Sequence, residues 1–214
     1  MNAGRPQSGH FITFEGGEGA GKSTQIRLLS EALEKAGHAV LQTREPGGSP
    51  GAEEIRSLLV TGDGDRWTSM TEALLHFAAR ADHLERVVRP ALSEGKWVLC
   101  DRFVDSSMAY QGVAQALGKD VIRGLTNLVV DTTMPDLTLI LDLPVADGLA
   151  RAGARGESED RYEKMGQAFH ETLRQAFLDI AADAADRCKV IDATTGIDGV
   201  HQAIWAETTK RFVL

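Results

Sequence analysis

Cysteine is nearly absent from this sequence: Cys100 and Cys188 are the only two, far apart. Neither sits in a CxxC pair or beside a histidine at ligand spacing, which excludes a disulfide scaffold and a thiolate metal site and predicts reduced, packed thiols. The six histidines show no ligand spacing either. Long apolar runs are also missing. No stretch approaches the roughly 18 apolar residues of a membrane-crossing helix, and the leader MNAGRPQSG has no apolar centre of the kind a secretory signal carries. The expectation is a cytoplasmic chain with a flexible leader at 1–9 and one compact domain at 10–214. Positive charge is in deficit, with a formal net charge of −8, so neither a nucleic acid nor a membrane surface is an expected partner. Lysine in particular is scarce, 7 against 16 arginines, and the planar forks of arginine suit phosphate.

What is present is a regular alternation. Short apolar runs rich in β-branched residues recur as HFITFE (10–15), AVLQT (39–43), WVLCD (97–101), LTLILD (137–142) and KVID (189–192), and helical periodicity fills the gaps. Strands alternating with helices predict an α/β fold with parallel pairing and right-handed crossovers. Ile26, Leu29, Leu33 and Ala36 mark a first helix that Gly37 stops. A second starts near Ser49 as N-cap, with Pro50 in the first position and Glu53 and Glu54 at the positive end of the dipole. A third is expected over 70–93, opened by a capping box of Ser69 and Glu72 and bent in its last turn by Pro90.

FEGGEGAGKST (14–24) follows the first strand and opens the first helix, and Gly16, Gly21, Lys22 and Ser23 satisfy GxxxxGK[ST]. Unpaired N–H groups at the helix start, and the lack of a Cβ at the four glycines, let the stretch Gly16, Gly17, Glu18, Gly19, Ala20, Gly21, Lys22, Ser23 and Thr24 wrap a nucleotide's phosphates. Lys22 would reach the β- and γ-phosphates, and the Ser23 hydroxyl would coordinate Mg2+. A GTPase would be expected to carry NKxD and DxxG; the only asparagines, Asn2 and Asn127, open no such motif, and DxxG is missing. WVLCDRF instead ends a strand with Asp101 followed by Arg102, a magnesium partner beside a phosphate clamp in one crevice. That favours a kinase.

Together with TREPGG (43–48), EEIRSLL (53–59), FAARADHL (77–84), DRFVDSSMAYQG (101–112) and DRYE (160–163), the sequence resembles the bacterial thymidylate kinases, from about Phe11 to Val190. The resemblance implies a P-loop kinase fold with a five-stranded parallel sheet flanked by helices on both faces, a lid at about 151–161, and a homodimer. It also implies transfer of the ATP γ-phosphoryl group to dTMP, with Mg2+. Arg102 would lie between acceptor phosphate and transferring group, Asp101 would hold metal opposite Ser23, and Glu45, Pro46 and Arg56 would shape the acceptor-phosphate loop with Arg44 close by, the bond before Pro46 being cis. Arg80 would read the base edge, with Ser107 and Gln111 bordering the ring. The family's stacking phenylalanine falls at His76, with Phe77 next; both rings are candidates for the base, with His76 favoured because Phe77 also lies on the apolar stripe of the helix. Tyr110 would exclude a ribose 2′-hydroxyl, and Glu18 would meet the 3′-hydroxyl. Because Gly19 stands where some members carry a loop arginine, the resemblance is to the lid-arginine type. Arg151, Arg155 and Arg161 are the candidates, Arg155 for the transferring phosphate and Arg151 nearer the ATP base. Two rivals stay open: a kinase for dUMP or another pyrimidine monophosphate, and a non-catalytic nucleotide-binding regulator.

Overall fold

A computed structural model describes residues 9–62, 66–153, 162 and 165–213. Five strands, β1 (His10–Glu15), β2 (Val40–Arg44), β3 (Trp97–Asp101), β4 (Leu137–Asp142) and β5 (Cys188–Asp192), form one parallel sheet in the order β2-β3-β1-β4-β5. The runs read from sequence are these strands, with β2 shifted by one residue and β5 one residue longer at its start. The order reverses at β1, whose outgoing connection runs to one side of the sheet while β3 crosses to the other. A crevice therefore opens at the carboxyl ends of β1 and β3, where Phe14 is paired with Asp101.

Alternation along the strands divides the core. Ile12, Phe14, Leu99, Leu139 and Leu141 meet Leu29 and Leu33 of α1 (Lys22–Lys35) and Val200 and Ile204 of α9 (Gly196–Phe212). The opposite face packs Phe11, Val98 and Cys100 against Leu84, Val88 and Phe103, and Ile140 against Leu173 and Phe177 of α8 (Gln167–Asp183). Cys100 and Cys188 are free and buried. The second face also carries buried polar groups. Thr13 and Thr138 share a 2.7 Å hydrogen bond, and Arg187 forks onto Asp105 at 2.7 and 2.9 Å.

The helices depart from expectation at their ends. In α2 (Pro50–Val60) the N-cap residue is Ser49, but its hydroxyl donates to Asp82 at 2.6 Å and does not cap. Helix α3 (Ser69–His83) is capped by Thr68, whose hydroxyl accepts from the Thr71 N–H. The expected Ser69–Glu72 capping box is thus corrected: Glu72 is buried and turned inward. The helical path does run to 93, through a π-helical turn at Leu84–Val88 and α4 (Arg89–Ser93). Pro90 has no N–H for the Arg86 carbonyl, and the helix widens immediately ahead of it. After β3 come α5 (Val104–Ser107), a second π-helical segment at Met108–Ala114, and α6 (Lys119–Val129). Helix α7 (Val145–Gly153) follows β4.

Candidate active site

At the crevice the chain turns through Gly16, at φ +131, where a Cβ would lie 2.5 Å from the Leu141 carbonyl oxygen. Gly21, at φ +92, is the N-cap position of α1 and offers no side-chain cap, and no acid stands in the helix's first turn. The N-terminal N–H groups and the dipole are left for an external anion. The Lys22 ammonium folds back onto the carbonyls of Gly16 (3.3 Å) and Gly17 (3.1 Å), and burial, with Arg102 nearby, lowers its pKa. The Ser23 hydroxyl donates to Asp101 Oδ2 at 3.2 Å. Asp101 Oδ1 is buried and has no hydrogen-bond partner among the described residues. A hydroxyl and a carboxylate oxygen side by side, one oxygen still free to bind, are the few protein oxygens Mg2+ uses when phosphates complete its shell.

Arg102 occupies the left-handed region at φ +68, a strained conformation for a side-chain-bearing residue and one that concentrates at functional sites. Its fork explains why it is held there. Nη1 donates to the Gly16 carbonyl (3.1 Å) and Ser106 Oγ (3.2 Å), Nη2 to Glu18 Oε1 (2.8 Å), and the guanidinium lies 5.1 Å from the Tyr110 ring centre. Tyr110 also donates to Glu18 Oε1, at 2.8 Å. Burial alone would raise the Glu18 pKa, but Arg102, Lys22 and the Tyr110 hydroxyl outweigh it and pull the carboxyl down to about 2. Beneath them Glu15 accepts from Phe103 N–H (2.8 Å), Ser106 N–H (3.2 Å) and Ser106 Oγ (2.6 Å), fixing the turn that carries Arg102. Burial first, then Asp105, push Glu15 up to about 7.

Across the crevice, Glu45 is buried and takes Arg80 Nε at 2.7 Å and His83 Nδ1 at 3.0 Å. Burial would raise its pKa, and the Arg80 charge with the His83 contact lowers it overall. Arg80 Nη2 donates to the Phe103 carbonyl and to Ser107 Oγ, both at 3.1 Å. Glu45–Pro46 is a cis peptide, and Arg56 reaches the Pro46 carbonyl at 2.8 Å. Arg44 pairs with Glu53 at 3.0 Å.

These groups enclose a single cleft of about 360 Å³. The phosphate loop from Glu18 to Thr24 forms one end; Arg44, Glu45, Pro46, Arg56, His76, Arg80, Ser107, Tyr110 and Gln111 form the rest, with Asp101 and Arg102 among its walls. A model of the family described as "Thymidylate kinase" matches residues 14–204. The chain belongs to the thymidylate kinase family. A thymidylate kinase of Caulobacter vibrioides is 58% identical over 206 residues, covering 96% of this chain and 99% of that one. One of Afipia carboxidovorans is 53% identical, covering 97% and 92%. The crystal structure of thymidylate kinase from Ehrlichia chaffeensis superposes with a TM-score of 0.75 at 34% identity, covering 94% of this chain and 99% of that chain.

The family resemblance thus named residues that the fold brings to one cleft, with exceptions. Phe77, the alternative stacking ring, is corrected: it is 2% exposed, packed with Ala73 and Ile122, and lies under the Arg80 guanidinium at 4.5 Å. His76 is the ring on the cleft wall, its Nε2 3.1 Å from the Tyr162 hydroxyl. Gly16 and Gly17 contribute carbonyls to Lys22 from behind the cleft rather than a wall. Arg151 is exposed at the end of α7 and is not a wall of the cleft, while Arg155 and Arg161 lie outside the described residues. Sequence reasoning missed Glu15, Glu72, His83 and Ser106, all buried polar residues that hold the walls. Only their burial reveals them. Tyr162 was within reach, since it stands in the DRYE motif.

Proposed function

We propose that the chain transfers the γ-phosphoryl group of ATP to dTMP, releasing ADP and dTDP, by direct in-line displacement. One observation carries the reading: the glycine loop with Lys22 and the arginine-bearing walls with Arg56, Arg80 and Arg102 open onto the same 360 Å³ space, so a donor and an acceptor nucleotide can meet there. An acceptor phosphate oxygen attacks the γ-phosphorus as the bond to the β–γ bridging oxygen breaks. The protein's work is positioning and charge neutralisation. Lys22 and the loop N–H groups, from Gly16 to Thr24, hold the donor phosphates. Arg102 sits between donor and acceptor, and Arg56, with Glu45 and Pro46, frames the acceptor phosphate. Arg80, Ser107 and Gln111 face the base, which stacks on His76. Tyr110, locked by its bond to Glu18, leaves no room for a 2′-hydroxyl, and Glu18 meets the 3′-hydroxyl.

Ser23 and Asp101 are the residues that would hold Mg2+, supported by the unpartnered Asp101 Oδ1. Bound there with ATP, the ion would screen the charge between the two nucleotides. The lid arginine Arg155 supplies further charge at the transferring group in this reading, and Arg151 lies nearer the ATP base. Residues 10–214 act as one kinase domain, in a homodimer whose contact face is suggested by exposed Met70, Leu74 and Leu128. The compartment is the cytoplasm, in keeping with the two free thiols. Among the described residues no helix is long and apolar enough to cross a membrane.

The test is an ADP-release assay over a panel of monophosphates. dTMP should be the best acceptor and dUMP a weaker one by roughly 10–200-fold, the worth of one methyl group in an apolar pocket. Equal rates with UMP and dTMP would defeat the role given to Tyr110, and no ADP release with dTMP would defeat the whole reading.

A further inference from the structure

Glu72, His76 and Arg80 are spaced by four along α3 and share one face of it. Glu72, 1% exposed, stands behind the cleft wall and accepts at Oε1 from Gln111 Nε2 (2.7 Å), Gln115 Nε2 (2.6 Å) and the Tyr162 hydroxyl (3.0 Å). A carboxylate only accepts, so each of these partners has its proton committed. Tyr162 has one proton to give. Its 3.1 Å contact with His76 Nε2 must then run the other way, from an imidazole N–H to the phenol oxygen. Gln111 is fixed by the same logic. With Nε2 held, its carbonyl must point elsewhere, because the flipped amide would set Oε1 against a carboxylate.

Two buried atoms are left over. Gln111 Oε1 has no hydrogen-bond partner among the described residues, and neither has Arg80 Nη1; the residues are 1% and 2% exposed, and both line the cleft. Ser107, which takes Arg80 Nη2 at 3.1 Å, stands four residues before Gln111, so one segment brings both residues to the same cleft. A buried donor and a buried acceptor left unpaired are each costly, and a ligand edge with the complementary pair relieves both.

We propose that Glu72 is a positioning residue that sets the base code of this cleft. By holding the Gln111 amide it presents an acceptor beside the Arg80 donor, a pair that fits the 4-oxo, N3–H edge of thymine or uracil. The same pair opposes the 4-amino group and bare N3 of cytosine. The inference rests on the reading of the cleft as the dTMP site. A flanking carboxylate, not the contact residues alone, is what makes glutamine read as an acceptor.

The test compares wild type, Glu72→Gln and Glu72→Asp with dTMP, dUMP and dCMP. Glutamine can donate as well as accept, so in Glu72→Gln the Gln111 amide is released to flip. The ratio of kcat/KM for dTMP over dCMP should fall about tenfold or more, through KM, with the KM for ATP unchanged. Glu72→Asp, still an acceptor-only group, should keep more of the ratio. Equal losses for dTMP and dCMP, as a merely loosened pocket would give, overturn the proposal, as does the reverse order of the two variants. Should Glu72→Gln not fold, the side-chain NH2 signals of Gln111 in wild type, assigned against Gln111→Leu, decide. In the free enzyme one NH2 proton should lie downfield of a solvent-exposed glutamine amide and exchange slowly with water, as a proton held by a carboxylate does; a pair at the free position overturns the proposal. Wild type inactive on dTMP would instead remove the reading of the site itself, an outcome the control reaction shows directly.

Discussion

Gly19 and Gly148 meet backbone to backbone. A Cβ on Gly19, at φ +68, would overlap the Gly148 carbonyl, and one on Gly148 would lie 2.5 Å from the Glu18 carbonyl oxygen. The contact ties the phosphate loop to α7, and it gives a physical reason why this chain has no room for an arginine in the loop. Gly148→Ala should therefore lower kcat/KM for ATP by about 10²-fold, the scale of an ångström-sized misplacement of reacting groups. Alanine favours a helix interior by about 1 kcal/mol over glycine, so a loss against that gain identifies the contact. Steady-state kinetics with dTMP saturating measures it.

Arg102→Lys keeps the charge and loses the fork that spans Gly16, Ser106 and Glu18. A lysine cannot make those bonds together, so the turn that Glu15 fixes from beneath loses the side-chain fork that ties it to Gly16 and Glu18. Turnover should drop by about 10²–10³-fold in single-turnover assays, the cost of removing one preorganised donor from a transition state. Activity within a few-fold of wild type would assign the clamp elsewhere.

Lys22→Ala should lose about 10³-fold in kcat while its thermal unfolding stays close to wild type, because among the described residues the Lys22 ammonium hydrogen-bonds loop carbonyls alone. Arg155→Ala should lose a comparable factor, on the scale of a finger arginine, with the KM for dTMP nearly unchanged. A defect confined to KM would move Arg155 from the transferring phosphate to a binding role.

The two loop carboxylates should give opposite pH dependences of stability. Glu15 is raised from 4.5 to about 7, so the folded state holds its proton where the unfolded chain has lost it. Its contribution is complete below pH 4.5 and is lost as pH rises toward 7. Glu18 is lowered from 4.5 to about 2, so its contribution is present above pH 4.5 and is lost as pH falls toward 2. Thermal denaturation of wild type against Glu15→Gln between pH 4.5 and 7 isolates the first effect. The advantage of wild type over the variant should shrink steadily as pH rises; a constant difference would show that Glu15 does not titrate there.

The strands, the glycine loop and most cleft residues were legible in the sequence because each depends on local facts. Short apolar runs rich in β-branched residues make strands, GxxxxGKS makes a glycine-dependent turn, and the DRF and REPGG motifs occupy the strand ends that a parallel sheet gathers at one edge. The role of Glu72 was not legible, because Ser69 and Glu72 fit a capping box on local grounds, and only the packing of Gln111, Gln115 and Tyr162 against α3 turns that carboxylate inward. Choosing between His76 and Phe77 likewise needed the fold: neighbours on a helix point about 100° apart, and it was Ile122 of α6 that claimed the phenylalanine for the core. The sequence by itself determined the phosphate loop, the order of the strands along the chain and the supply of arginines, since backbone geometry and alternation are properties of neighbouring residues. Which polar atoms were spent on one another and which were left without a partner among the described residues, Arg80 Nη1, Gln111 Oε1 and Asp101 Oδ1 among them, was decided only by tertiary structure, because hydrogen-bond partners tens of residues apart settle that account.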